Sequence, residues 1–342
     1  MKAVFDPRQK AHDPASYIRS GTVAPNPEAP ERVERLLTGL GAAGAELIGP
    51  ADYGMAPIAA IHAPDYIEFL QTIHARWTAM EGASDQVIPN MHANRIAGVR
   101  PTGPVGLAGW HQADTACPID AHTWQSSYWS AQTALTAAEL VREGERWAYA
   151  LCRPPGHHAY ADMAGGFSFL NSAAIAAEAL LRAGRRPAIL DVDVHHGNGT
   201  QGIFYARRDV LTVSLHRDPV DYYPFFWGHA HERGEGAGAG FNLNLPQAEG
   251  TSDDAYLAAL EGAAFRRIGA FAPDVLIVAL GLDAFEGDPL KGLRVTTPGF
   301  ARIGAAIARL GLPAVVVQEG GYLCPELGEN LTAFLDGFGG AA

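Results

Sequence analysis

From about residue 120 onward, short apolar runs alternate with longer segments that have helical spacing. The short runs predict parallel strands covered on both faces, because such strands carry little polar alternation. The longer segments place apolar residues three or four positions apart, which predicts helices. The predicted strands are Trp147–Leu151, Pro187–Val194, Val210–His216, Phe241–Leu245 as an edge strand, Asp274–Leu282 and Ala314–Gln318. The predicted helices are Thr123–Arg142, Asn171–Ala183, Ser252–Phe271 and Thr297–Leu310.

This alternation of strands and helices predicts the fold class α/β. We expect residues 1–342 to form a single-domain, three-layer α/β/α structure around a mainly parallel, doubly wound sheet. Towards the N-terminus, residues 30–41 and Pro64–Met80 look helical. Residues 81–122 show no clear periodicity, and a stretch of that length is typical of a functional or interface element. We therefore predict an inserted loop there, located at a homodimer interface.

Composition limits the possible partners. Hydrophobic residues make up 48% of the chain and charged residues 18%, which is typical of a globular protein. The formal net charge of −12 argues against nucleic acid as a partner and is compatible with a small cationic substrate. We expect no membrane partner and a cytoplasmic protein, because the N-terminus lacks a signal-peptide pattern and no apolar run is long enough to span a bilayer. The three cysteines predict neither a disulfide framework nor a thiolate zinc site.

One predicted strand ends in an unusual polar pattern. The apolar run that begins at Ala188 continues into Asp191, Asp193 and His195. Because side chains alternate along a strand, these three residues are predicted to point the same way. Two carboxylates and an imidazole on one buried face resist burial unless a cation joins them. The pattern therefore predicts a metal site.

Other polar groups follow the predicted strands. In open α/β sheets ligands bind beyond the carboxyl ends of the strands, so these groups are expected to converge. Asp193, His195 and Asp283 together offer two oxygens and one nitrogen, a set that fits zinc or another first-row divalent ion and leaves a position for water. Asp191 either supports that site, serves a separate hard cation or is a buried carboxylate bonded to backbone amides.

Proton transfer needs further groups. Two imidazoles, His157 and His158, lie on a loop that Pro154–Gly156 makes rigid, and imidazole can act as general base and general acid. The alternative is a pair of exposed loop histidines. Tyr322 follows two glycines, and its phenol could donate a hydrogen bond to a developing oxyanion.

These motifs together resemble the motif set of the histone deacetylase family, and within it the bacterial acetylpolyamine amidohydrolases are the most similar. The resemblance extends from about Phe5 to the C-terminus. It rests on Arg153–His158, Asp191–Gln201, Val213–His216, Leu280–Asp283 with Gly287–Pro289, and Glu319–Tyr322.

The resemblance implies metal and catalytic roles. One Zn²⁺ per subunit would be bound by Asp193, His195 and Asp283. His158 would be the general base and acid, His157 an electrostatic helper paired with Asp191, and Tyr322 the group that polarises the amide carbonyl. The site of a structural K⁺ would consist of Asp191, Ser214 and the backbone oxygens of Asp193, His195 and Leu215.

The resemblance also implies a narrow substrate tunnel lined by Gly166, Phe167 and Tyr223. Leu290 stands where a polyamine-specific eukaryotic member has a gatekeeping glutamate, so selectivity cannot rest on that position here. Asp114 is our candidate for contacting a distal ammonium, and a solvated loop carboxylate is the alternative. Asn198 stands where some members have an aspartate as the partner of His158. A neutral partner should raise the pKa of His158 less than a carboxylate would.

We therefore predict a zinc-dependent amidohydrolase that deacetylates N-acetylated alkylamines, foremost acetylputrescine, acetylcadaverine and acetylspermidine. Deacetylation of acyl-lysine in peptides is the nearest alternative, because the same tunnel fits that side chain. A dinuclear manganese ureohydrolase is more distant, since the chain has Asp-x-Asp-x-His where that class has Asp-x-His-x-Asp. A non-catalytic module that binds acylated amines is disfavoured by the two histidines and Tyr322.

Overall fold

The centre of the molecule is an eight-stranded sheet in which all neighbouring strands are parallel. The computed structural model describes residues 1–94 and 98–341. The strand order is β4-β1-β5-β10-β9-β6-β7-β8, and β2 and β3 form a separate antiparallel hairpin. The strands are β1 (Lys2–Val4), β2 (Ser16–Arg19), β3 (Thr22–Pro25), β4 (Glu46–Ile48), β5 (Trp147–Ala150), β6 (Pro187–Asp191), β7 (Leu211–Arg217), β8 (Asn242–Gln247), β9 (Val275–Leu280) and β10 (Ala314–Gln318).

Helices cover both faces of this sheet. They are α1 (Glu31–Ala42), α2 (Ala56–Ala59), α3 (Pro64–Thr78), α4 (Pro104–His111), α5 (Thr123–Arg142), α6 (Ser172–Arg182), α7 (Asn198–Phe204), α8 (Asp253–Ala259), α9 (Phe265–Phe271), α10 (Thr297–Ala308) and α11 (Leu327–Ala341). A π-helical turn at Leu260–Ala264 joins α8 to α9.

Two hydrophobic cores result, one on each face. Along β9, Leu276 and Val278 point into the core formed with α1, α10 and α11, whereas Ile277 and Ala279 point into the core formed with α3, α5 and α6. This alternation explains the continuous apolar runs, because both faces of each central strand are buried. The three-layer α/β/α fold class predicted from the sequence is confirmed.

The predicted extent of β6 was wrong. The strand ends at Asp191 rather than Val194, so Asp193 and His195 lie in the loop that follows it. The reason is local hydrogen bonding, because the Asp191 carboxylate accepts the N–H of Asp193 at 3.1 Å and the Asp193 carboxylate accepts the N–H of His195 at 2.9 Å. These carboxylates accept backbone N–H groups that would otherwise bond to a neighbouring strand, and the chain therefore turns out of the sheet.

The predicted loop at 81–122 also needs correction, because α4 lies within it and Val87 forms a bridge with Ile119. Its residues 95–97 lie outside the described residues. The helix has two glycines and is apolar on all sides, so it has no amphipathic stripe that periodicity could detect. Within the described parts of the chain, no helix combines the length and the apolar character needed to cross a membrane.

Candidate metal centre and tunnel

Three buried side chains meet at the carboxyl edge of the sheet. Asp193 and His195 follow β6, and Asp283 follows the neighbouring strand β9. One ligand atom from each lies within 4.8 Å of the others. His195 Nδ1 is 3.2 Å from Asp193 Oδ1 and 3.1 Å from Asp283 Oδ2. The three side chains can therefore reach a common ion, although all three stand on loops that follow the strands.

The buried carboxylates of this cluster are stabilised by a positive charge close to them. Burial and the charge of Asp193 raise the pKa of Asp283. Burial disfavours the imidazolium of His195, but hydrogen bonding and charge from Asp193 and Asp283 outweigh burial and raise its pKa to about 9. In the absence of a metal, a proton on His195 would supply the missing charge. A divalent cation bound by two carboxylates and one imidazole satisfies the same requirement, so the donor set fits a zinc-type ion.

Glycines make room for the carboxylates. A Cβ atom on Gly320 would collide with the carboxylates of Asp283 and Asp193, and one on Gly281 would collide with that of Asp193. The N–H of Gly320 donates to Asp193 Oδ2 at 2.8 Å. The two carboxylates therefore lie directly against the backbone at positions where a side chain would displace them.

The first histidine of the tandem pair is bound to Asp191. His157 Nδ1 lies 2.9 Å from Asp191 Oδ2. Burial lowers the pKa of His157, but the charges of Asp193 and Asp191 outweigh it and raise that pKa to about 10. The buried Glu319 accepts the N–H groups of Gly156 and His157 at 2.6 and 3.0 Å, which holds the loop in place.

The second histidine has a neutral partner. His158 Nδ1 lies 2.6 Å from Asn198 Oδ1, and Asn198 Nδ2 donates to the Tyr160 hydroxyl at 3.1 Å. This second bond orients the amide so that its oxygen accepts from His158, which places the proton on Nδ1 and leaves Nε2 as the basic nitrogen. Burial, followed by the charges of His157 and His195, lowers the pKa of His158 well below its usual value. A neutral His158 is suited to accepting a proton.

Tyr322 is buried beside the same cluster. Burial and the charge of Asp283 raise the pKa of its phenol well above the usual value, so the hydroxyl keeps its proton. The backbone N–H of Tyr322 donates to Asp288 Oδ2 at 2.8 Å. Its ring packs edge-on against Phe167, with the ring centroids 5.8 Å apart. Tyr322 is therefore a fixed hydrogen-bond donor.

A buried network of charged side chains, Glu28, Arg32 and Arg153, supports the loop that carries Tyr322. The Arg32 guanidinium donates to the carbonyls of Gly321 and Glu319 at 2.5 and 2.7 Å, and it pairs with Glu28 at 2.5 Å. Arg153 also pairs with Glu28, at 2.9 Å. Both guanidinium groups depend on one carboxylate that is fully buried.

Glu28→Ala is expected to lower the free energy of unfolding by about 3–5 kcal/mol, because it leaves two buried guanidinium charges without their carboxylate. Chemical denaturation monitored by circular dichroism measures this loss. Glu31→Ala is the matched control, since Glu31 also pairs with an arginine four residues later but both side chains are more than half exposed. It should cost less than about 1 kcal/mol. Equal losses in the two variants would show that the Glu28 network contributes no special stability.

A cavity of about 720 Å³ reaches the cluster at His195. Gly166 allows the chain to pass close to His158, because a Cβ there would lie 2.5 Å from the imidazole Cδ2. Tyr223 packs edge-on against His158 with the ring centroids 4.9 Å apart. The cavity lining includes all five residues predicted to bind substrate, Asp114, Gly166, Phe167, Tyr223 and Leu290, and also His158, His195, Asn198 and Tyr322.

Asp114 has several partners at the mouth of this cavity. Its Oδ2 accepts the Tyr223 hydroxyl at 2.6 Å and the N–H of Gly166 at 3.2 Å, and its Oδ1 accepts the N–H of Ala116 at 2.8 Å. The carboxylate thus fixes Tyr223 and Gly166 in the cavity wall and also lines the cavity itself. A solvated loop carboxylate, the alternative considered from the sequence, does not describe it.

Three of the residues predicted for potassium, Asp191, Ser214 and Leu215, lie on β6 and β7. Asp191 and Ser214 are paired in register across these strands, and Leu215 follows Ser214. The Ser214 hydroxyl lies 2.8 Å from His216 Nδ1. Asp193 and His195 stand on the turn that follows Asp191 at the end of β6, so the proposed oxygen donors come from neighbouring segments.

Several residues at the site were not predicted. Tyr222 stacks on His195 at a centroid distance of 5.1 Å, and Phe225, Phe226 and Trp227 line the cavity mouth. A run of aromatic residues directly after a strand was the available signal for them. The support that Arg32 gives to Gly321 was not predicted either: Glu28 and Arg32 lie in a segment, residues 26–32, that belongs to the family resemblance, but the contact joins positions 289 residues apart.

Comparison with known proteins identifies the class to which this fold and site belong. The model of the histone deacetylase domain matches residues 26–338, and the chain belongs to the histone deacetylase family. It is 47% identical over 340 residues to an acetylpolyamine amidohydrolase from Burkholderia pseudomallei (strain 1710b), with 99% of each chain covered. It is 46% identical over 346 residues to acetylpolyamine amidohydrolase 1 of Pseudomonas aeruginosa, with both chains fully covered.

The same relationship is visible in three dimensions. The crystal structure of an acetylpolyamine aminohydrolase from Burkholderia pseudomallei matches with a TM-score of 0.96, at 47% identity, and covers 100% of this chain and 99% of that one. The resemblance inferred from the motifs is thereby confirmed.

Proposed function

We propose that this protein is a metal-dependent amidohydrolase that removes the acetyl group from N-acetylated polyamines. The observation that carries the proposal is the buried Asp193–His195–Asp283 cluster, whose His195 lines the same cavity as His158 and Tyr322. The relatives named as acetylpolyamine amidohydrolases match over the full length of the chain, which supports this substrate class.

Asp193, His195 and Asp283 would hold the ion, which we propose to be one Zn²⁺ per subunit. When bound, such an ion would lower the pKa of a water molecule and polarise the acetyl carbonyl. His158 would accept the proton of the attacking water at Nε2, since Nδ1 is bonded to Asn198. The same atom would later pass the proton to the departing amine.

Two further groups would stabilise charges that are present or develop at the site. The Tyr322 hydroxyl would donate a hydrogen bond to the acetyl oxygen as negative charge develops there. His157, bound to Asp191, would keep positive charge beside the carboxylates and close to His158. Both residues are held by buried partners, so neither has to reorganise during the reaction.

Turnover of a substrate panel tests the proposed function. We expect acetylputrescine, acetylcadaverine and acetylspermidine to be hydrolysed with higher kcat/KM than a peptide that carries acetyl-lysine. The physical reason is that the aromatic walls suit an alkyl chain and that the net charge of −12 favours the approach of a cation. Acetate release is the measurement. A preference for the peptide would favour the acyl-lysine alternative, and no release from any substrate would favour a binding module.

We further propose a homodimer in which residues 81–122 contribute to the interface and Asp114 contacts the distal ammonium of the substrate. Support comes from the position of Asp114 on this segment, at the cavity mouth. Met91 and Val99, which are 65% and 90% exposed, lie on the same segment and offer apolar surface to a partner. Sedimentation velocity tests the assembly, and a strict monomer at micromolar concentration would remove the interface.

We also propose a structural K⁺ at Asp191, Ser214 and the backbone oxygens of Asp193, His195 and Leu215, and a cytoplasmic location. The pairing of Asp191 with Ser214 supports the first, and three free cysteines support the second. Metal analysis of the purified protein tests the cofactors. One zinc per subunit agrees with the proposal, whereas two manganese ions would favour the ureohydrolase alternative.

A further inference from the structure

An aromatic segment, Tyr222–Trp227, crosses the mouth of the cavity and is called the strap below. Its first two residues contact the reaction centre, because Tyr222 stacks on His195 and Tyr223 packs against His158. The other aromatic side chains of the strap, Phe225, Phe226 and Trp227, are 48%, 78% and 48% exposed. This part of the strap buries little surface, so its position depends on anchors outside it.

The anchor at its C-terminal end is Gly228. Its N–H donates to Glu232 Oε2 at 2.8 Å, and its carbonyl lies 2.8 Å from His216 Nε2. Gly228 has φ of +106°, and a Cβ there would lie 2.7 Å from the His196 ring and 2.8 Å from the His216 ring. The peptide group is thus held on both sides at a position that only glycine fits.

The same oxygen of Glu232 reaches a second element. Gln201 Nε2 donates to Glu232 Oε2 at 2.7 Å, and Asn244 Nδ2 donates to it at 3.2 Å. Gln201 lies in α7, whose first residue, Asn198, is the partner of His158. One carboxylate oxygen therefore joins the strap to the helix that carries Asn198.

These two elements enclose His158. Asn198 binds its Nδ1, and Tyr223 packs against its ring. Glu232 is not one of the residues that line the cavity, and its side chain reaches these two elements through Gly228 and Gln201. Hydrogen bonds to a carboxylate are stronger than those between neutral groups, and losing one leaves buried donors on Gly228 and Gln201 without a partner.

We propose that Glu232 is a positioning residue for this active site: it fixes the strap against α7 and thereby sets the places of Tyr223 and Asn198 around His158. The kinetic part of this proposal rests on the proposed function, whereas the structural part does not. Glu235 provides a matched control, because it lies on the same loop but its side chain is exposed.

Hydrogen–deuterium exchange tests the structural part. In Glu232→Ala we expect faster exchange in peptides that cover residues 198–204 and 222–228, with unchanged exchange in β9 and β10. Glu232→Gln should stay close to the parent protein, because its amide oxygen can still accept the same donors. Glu235→Ala should match the parent protein. Parent-like exchange in Glu232→Ala, or equal acceleration in Glu235→Ala, would overturn the proposal.

Kinetics test the functional part. For acetylputrescine we expect kcat/KM of Glu232→Ala to fall about tenfold or more, with at least part of the loss in KM, and Glu232→Gln to restore it to within about threefold. If the parent protein hydrolyses no acetylated amine, the proposed function fails while the exchange result still decides the role of Glu232. If Glu232→Ala does not fold, Gln201→Ala replaces it in the exchange experiment. We then expect faster exchange in residues 198–204, and exchange like that of the parent protein would overturn the proposal.

Discussion

Asp283→Asn is expected to lower kcat/KM by about a thousandfold or more and to leave the purified protein depleted of its divalent ion. Asp283 contributes one of two carboxylates to the cluster, and its Oδ1 also accepts the N–H of Val194 at 3.1 Å. An amide at this position is a much weaker ligand for a zinc-type ion, and losing the ion removes the activation of water and the polarisation of the carbonyl.

Elemental analysis of the protein and acetate release with added Zn²⁺ measure the effect. Asp274→Asn is the control, because Asp274 precedes β9 at the opposite end from Asp283 and is exposed. We expect that variant to keep its metal and its turnover within about twofold. Full metal content and activity in Asp283→Asn would contradict the assignment of the metal ligands.

Tyr322→Phe is expected to lower kcat by about 10²–10³-fold while KM changes little. The phenol would donate only to charge that develops during the reaction, and the loss of one donor of this kind typically costs about that factor. The ring itself would stay in place, because its contacts with Phe167 and Arg32 involve the ring and not the hydroxyl.

Steady-state kinetics with acetylputrescine, together with metal content, check this result. Tyr149→Phe is a suitable control, since Tyr149 is also fully buried but its hydroxyl donates to Gln318 inside the sheet. It should affect stability and leave kcat nearly unchanged. Unaltered kcat in Tyr322→Phe would remove Tyr322 from the proposed mechanism.

The sequence predicted the metal cluster for a reason that was only partly correct. It placed Asp193 and His195 on a strand with alternating side chains, whereas the structure places them on a turn whose amides bind the preceding carboxylates. The prediction succeeded because the carboxyl ends of β6 and β9 are adjacent, whatever the local conformation beyond them. The hydrophobic pattern indicates which residues are buried. It does not indicate where a side chain, and not a neighbouring strand, accepts a backbone hydrogen bond.

The helix α4 and the strap show a different limitation. Helix α4 carries apolar residues on all sides, so its hydrophobic pattern has no period. The strap looked like a loop with aromatic residues, and nothing local indicated that Tyr222 would lie against His195. Both features depend on packing between segments that are distant in the chain.

The amino-acid sequence by itself determined the α/β class, the two-faced burial of the strands and the types of ligand available at their ends, because these follow from local pattern and from residue chemistry. Only the tertiary structure decided how Arg32 supports Gly321, how Glu232 joins Gln201 to Gly228, and how the aromatic residues come to line one cavity. The contact between Arg32 and Gly321 joins segments 289 residues apart, and those of Glu232 depend on how its loop packs against α7, so no short stretch of the chain encodes them.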